Sequence, residues 1–293
     1  MKVVDPHIHL WNLDTHSYPW LANPGEAFIG DYSSIAVNFL PEHLMRGAGD
    51  IEIVKVVHVD ANHDPALPVK ETEWLQGLAD QGGLPQGIVA FADLASSQVA
   101  SILEQHAAYA NVRGIRQILN RHEEAIYNYT EVDYLNDATW CENFKILEKH
   151  NLSFDVQIYP HQAADACRLV DQHPNTSFII NHTGMFVDRT LEGFCRWRDG
   201  LTELARRDNV FIKISGLGMF DRQWTVESLR PYVLQTIDTF GTKRSMFASN
   251  FPVDKLFNSY ANLWHAYDQI SKGFSNTERE QLFRTNAERV YRI

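Results

Sequence analysis

Residues 2–10 read KVVDPHIHL, a short apolar run that starts on Val3 and Val4 and ends on His7 and His9. Two valines and an isoleucine in so short a stretch predict a buried β-strand. Residues two apart in a strand project to the same side, so His7 and His9 point together from its C-terminal end. Two imidazoles on that spacing can both reach a divalent ion at about 2.0–2.1 Å, or serve a bound molecule as acid–base groups.

Seven further runs of the same kind follow: IVKVVHVDA (53–61), GIVAFADL (87–94), VRGIRQIL (112–119), SFDVQIY (153–159), SFIINHT (177–183), VFIKISGLG (210–218) and SMFASNF (245–251). Helix-like stretches lie between them, such as 69–81, 97–110, 138–150, 162–173, 201–208, 225–240 and 259–272, and a last helix opens at NTERE with Asn276 as its N-cap. Buried strands alternating with helices predict βαβ units and a parallel sheet. Eight such units in 293 residues predict an α/β fold of the (β/α)8 TIM-barrel type, as one domain over 1–293. A doubly wound open sheet is the competitor, but no glycine-rich phosphate turn follows the first strand. Two connections, 11–50 and 120–136, exceed the usual length. Both leave the C-terminal face of a barrel, so they are expected to wall a pocket.

The other strand ends are polar as well. His58, Asp60 and Asn62 follow the second strand, and Arg116 lies on the fourth. Gln157 and His161 belong to the fifth, His182 to the sixth, Lys213 and Ser215 to the seventh, and Asn250 with Asp254 to the eighth. Lys213 stands between Ile212 and Ile214, so if the isoleucines face the helices the ammonium turns into the barrel. The formal net charge of -11 argues against a nucleic-acid surface, and no apolar run approaches a membrane span. Cys141, Cys167 and Cys195 are odd in number and form no Cys-x-x-Cys motif, which predicts free thiols and fits a reducing cytoplasm. A small-molecule substrate is therefore expected, with no nucleic-acid or membrane partner. Oligomeric state leaves no readable signal in the sequence.

The DPHIHLW start, HVDANHDP with ETEWL downstream, RGIRQ, NHTG and SNFPVDKL together resemble the amidohydrolase superfamily, and within it the amidohydrolase-2 branch of metal-dependent TIM-barrel hydrolases. That branch includes lactonases for sugar lactones of the fucono and rhamnono type, and for muconolactone-like or pyrone-dicarboxylate substrates. The resemblance implies that His7 and His9, with His182, are metal ligands, holding one divalent ion with zinc as the expected element. It also exposes a departure. The branch usually carries an aspartate in a Gly-Ser-Asp-Trp-Pro-like motif, where this chain reads Ala-Ser-Asn-Phe-Pro and places Asn250. An amide has no basicity and is a poor ligand for zinc, so a site without a metal is also compatible with the sequence.

The function expected from these residues is hydrolysis of a lactone, a sugar-derived one, by water attack on the ring carbonyl. His182, Asn250 and Asp254 are the catalytic candidates: His182 as general base, Asn250 as an oxyanion donor or water holder, Asp254 as a second candidate base. Arg116, Gln157, His58, Asp60 and Lys213 are the substrate-binding candidates, although Arg116 could pair with Asp60, and Lys213 with another buried acid. Hydrolysis of a dicarboxylate lactone or an amide, and decarboxylation of an aromatic acid, are the alternatives on the same barrel. A non-catalytic barrel that binds a sugar acid or a partner protein is the alternative from another class.

Overall fold

A computed structural model describes residues 1–293, the side chain of Glu26 excepted. Eight parallel strands form one sheet in sequential order: β1 (Lys2–Ile8), β2 (Glu52–Val59), β3 (Gly87–Phe91), β4 (Val112–Ile118), β5 (Ser153–Gln157), β6 (Phe178–Ile180), β7 (Val210–Ile214) and β8 (Ser245–Phe247). Past the end of β8 the chain returns to β1. Asn250 N–H donates to the His7 carbonyl at 2.8 Å and His9 N–H to the Phe251 carbonyl at 2.7 Å. The protein is thus a single (β/α)8 barrel, as the alternation predicts.

Side-chain parity divides the core in two. Val4, Val57, Val59, Val89, Ile179 and Met246 meet inside the barrel, and Ala287, Val290 and Tyr291 of the C-terminal helix Asn286–Tyr291 close its lower end. The alternate residues, among them Ile8, Ile88, Ile115, Phe154, Ile212 and Ile214, pack outward against the helices in one large cluster with Trp140, Trp197 and Trp264. Removing any of these indoles to alanine would cost about 3–5 kcal/mol, so the helical layer is well fixed beneath the site. All three cysteines are free thiols, as expected.

Strand β1 contains an irregularity that the sequence reading lacks. Asp5 pairs with Val56 but Ile8 with His58, so β1 spends three residues where β2 spends two. Such a bulge reverses parity, and it falls on Pro6, which has no N–H to give to a ladder. Val4 and His7 therefore both face inward. Asp5 turns outward to accept from Ser249 N–H at 3.0 Å and Tyr260 O–H at 3.0 Å, and burial raises its carboxyl to about 6.

Most helices follow the expected spans to within a few residues, with 138–150 interrupted at Lys145. The helix after β6 runs Leu191–Ala205 and is longer than the 201–208 stretch suggested. The helix that opens at Asn276 is N-capped by Ser275, not by Asn276, because Ser275 Oγ accepts from Glu278 N–H in a capping box. The connection 11–50 carries a two-stranded hairpin, Glu26–Ala27 with Gly30–Asp31, over the C-terminal mouth of the barrel. No helix is long and apolar enough to cross a membrane among the described residues.

Candidate active site

A cavity of about 380 Å³ opens at the C-terminal ends of the strands. His9, Arg116, Gln157, His182 and Asn250, from or just beyond β1, β4, β5, β6 and β8, line its floor. Inward parity explains Arg116 and Gln157. Arg116 and Ile118 alternate with the outward Gln117, and Gln157 follows the inward Asp155.

His182 and Asn250 reach the floor by a backbone device. Both hold left-handed φ values, +51° and +59°, unfavourable for residues other than glycine. Around His182 the strain is braced: Trp197 Nε1 donates to the Thr183 carbonyl at 2.6 Å, and Ser215 Oγ lies 3.2 Å from His182 Nδ1. Gly216, at φ +64°, is needed here, since a Cβ would stand 2.7 Å from that same nitrogen. With Nδ1 engaged by Ser215, Nε2 is the nitrogen left for a ligand. Burial, then the nearby Arg116 and Lys213 charges, hold the imidazole well below its usual 6.5, so it is neutral at pH 7.

His9 is flanked by two acceptors, the Val59 carbonyl 2.7 Å from Nδ1 and Asn250 Oδ1 3.3 Å from Nε2. Burial and the Arg116 charge keep this ring neutral too. It has one proton to give, and the shorter contact to Val59 takes it. Asn250 Nδ2 in turn donates to Asp254 Oδ2 at 2.7 Å. Asp254 also accepts from Gly218 N–H, and burial pushes its carboxyl up to about 7.

Arg116 donates from Nη1 to Gln157 Oε1 at 3.2 Å and from Nη2 to both the Asp60 carboxylate and the Asp60 carbonyl. Its Nε has no partner among the described residues. Because Gln157 spends its oxygen on Arg116, its Nε2 hydrogens remain for a bound molecule. The floor thus presents spare N–H donors beside a neutral imidazole.

Five of the residues expected in the site lie elsewhere. His58 does not reach the cavity: Val57 and Val59 face inward, so His58 points out, accepting from Leu10 N–H at 3.0 Å, with Nε2 3.5 Å from Glu71. Asp60 supports Arg116 from behind at 3.1 Å instead of contacting the cavity. Lys213 turns inward as the flanking isoleucines require, but it sits one layer lower. There it is ion-paired to Asp155 with both side chains fully buried, 3.3 Å from the Pro6 carbonyl. Tyr291 O–H donates to the same carboxylate, so Lys213 belongs to the barrel core and not to substrate binding. Asp254 is only 2% exposed and stands behind Asn250, because the turn Val253–Leu256 that follows Pro252 points Val253 at the cavity instead. His7 lies under the floor with ring centroids 5.0 Å from His9 and 4.5 Å from His182, and neither of its nitrogens has a partner among the described residues.

Residues 4–293 match the profile of the family described as Amidohydrolase. The chain belongs to the amidohydrolase family. It is 45% identical over 295 residues to uncharacterized protein y4mH of Sinorhizobium fredii, covering 100% of this chain and 99% of that one. An L-fucono-1,5-lactonase of Burkholderia multivorans is 26% identical over 303 residues, covering 99% of this chain and 96% of that enzyme. A crystal structure of an amidohydrolase from Burkholderia multivorans with bound HEPES superposes with a TM-score of 0.82 at 25% identity over the full length of both chains. A crystal form of that protein in another space group, with zinc bound, gives the same TM-score at 24% identity and the same coverage.

Amidohydrolases typically hold a metal. Among the described residues no three His, Cys, Asp or Glu side chains are grouped to hold an ion. His9 Nε2 faces an amide oxygen where the branch supplies a carboxylate, and the amide nitrogen is committed to Asp254. The residues of this amidohydrolase do not fit a tightly held ion, and no step below passes through one.

The sequence reading missed the cavity's apolar wall: Phe28 and Ile29 from the hairpin, Met185 beyond β6, Met219 beyond β7 and Val253 beyond β8. Only the length of the 11–50 connection signalled any of it. The methionines lie in loops whose path is set by tertiary packing, and no periodicity marks them.

Proposed function

We propose that this amidohydrolase opens a lactone ring, of the sugar-derived kind, by water attack on the carbonyl. The observation that carries the reading is the convergence of His9, Arg116, Gln157, His182 and Asn250, from five strands, on one 380 Å³ cavity. The L-fucono-1,5-lactonase similarity over nearly the whole chain supports the reaction class.

His182 Nε2 accepts a proton as water bonds to the ring carbonyl carbon. The carbonyl oxygen becomes an oxyanion, met by the free N–H groups of Arg116 and Gln157. The carbon–ring oxygen bond then breaks, and the departing oxygen takes the proton from His182. The product is a hydroxy acid, which loses its own proton at neutral pH. A base held well below 6.5 is a weak one, which suits an ester-like leaving group better than an amide. The Val59 carbonyl holds His9 in a single orientation, and Asp254 holds Asn250.

The test is proton release near pH 7 over a panel of aldono- and uronolactones, with and without chelator. Release well above spontaneous hydrolysis for at least one lactone, unchanged by chelator, is expected. A flat panel rejects the sugar-lactone reading in favour of dicarboxylate lactones, amides or decarboxylation.

A further inference from the structure

The cavity is larger and more one-sided than a bare sugar lactone requires. A deoxyhexonolactone has eleven non-hydrogen atoms and fills roughly 200 Å³ at the packing density of organic solids. About half of the 380 Å³ is left over. That remainder borders a continuous apolar wall, in which Phe28, Ile29, Met185 and Met219 belong to one cluster with Tyr159 beneath them. The wall meets the polar floor directly, since Met219 Sδ lies 3.6 Å from Asn250 Nδ2. It is also held in place: Arg222 Nη2 donates to the Phe28 carbonyl at 2.5 Å, securing the hairpin tip.

A sugar hydroxyl set against this wall would give up its water and find no partner. An alkyl or aryl group there would lose nothing, and two methionines adapt readily to its shape. From this juxtaposition of a hydrogen-bonding floor with an apolar wall, we infer that the substrate is a lactone bearing an apolar substituent of about three to six carbons. The ring's oxygens lie on Arg116 and Gln157, and the substituent lies on Phe28, Ile29, Met185 and Met219. This inference rests on the lactone reading above and narrows it.

The experiment is a series of δ-lactones carrying n-alkyl chains from methyl to hexyl on the carbon beside the ring oxygen, assayed for kcat/KM. The matching δ-lactams, which the weak base should not hydrolyse, are measured for binding by calorimetry. Each methylene that reaches the wall should raise kcat/KM and lactam affinity about fourfold, and Phe28→Ser should flatten both slopes. Hydrolysis with a flat or falling chain-length dependence overturns the apolar subsite and leaves the lactone reading standing. No hydrolysis of any member, with the aldono- and uronolactone panel flat as well, overturns the lactone reading. In that case the lactam series still decides the subsite: a rising affinity supports it, and a flat one removes it.

Discussion

Replacing Asp254 by asparagine separates the two roles that its position allows. Its carboxyl is fully buried and raised from 3.8 to about 7, with Asn250 and Gly218 as its donors. Between these two pH values the folded chain keeps a proton that the unfolded chain has released. Raising the pH through that window therefore removes stability, in total about 4 kcal/mol, with more than half of it lost between pH 5 and pH 8. The amide introduced by Asp254→Asn would not titrate, and it can keep both contacts if the Asn250 amide turns over. Urea midpoints of both proteins at pH 5 and pH 8 give the comparison. The variant should gain about 2–3 kcal/mol on the wild type between them, with kcat/KM on an accepted lactone reduced less than tenfold. A stability difference that stays constant with pH would refute the buried, proton-retaining carboxyl. A loss of turnover of a thousandfold or more would make Asp254 the base after all.

Three other outcomes follow from the same geometry. Lys213→Met leaves the buried Asp155 carboxylate with only Tyr291 to donate, so denaturant unfolding should show a loss of about 3–5 kcal/mol, with KM of the folded protein unchanged. A raised KM at unchanged stability would return Lys213 to the substrate. Asn250→Asp supplies the anionic ligand this site lacks, and calorimetry should detect zinc binding tighter than in the wild type by at least tenfold. Equal affinity would show that ligand geometry, not residue type, keeps zinc out. Gly216→Ala drives a methyl to 2.7 Å from the His182 ring, so kcat should fall by tenfold or more while the circular dichroism spectrum is kept.

Much of the fold could be read from the chain because each barrel strand is buried on both faces and each helix on one, which writes a periodic signal into the residues. The inward turn of Lys213 followed from Ile212 and Ile214 by the same rule. Parity could not be carried past the irregular ladder of β1, and it misled where the strand's phase was unknown. The bulge at Pro6 changes which residues of β1 share a face, and His58 falls on the outer face because Val57 and Val59 take the inner one. His182 and Asn250 stand at the floor because their backbones are left-handed, a property of the braced turn and not of the residue type. The apolar wall was invisible for a related reason. Phe28, Met185 and Met219 come from three connections brought together only when the barrel closes.

In the proposed mechanism His182 is the group that takes the proton from water. For the lactone hydrolysed best, kcat of His182→Ala should fall by about 10²–10⁴, while an unreactive lactam of the same ring binds the variant within a few-fold of the wild type. Unchanged turnover in that variant would contradict the mechanism at its centre.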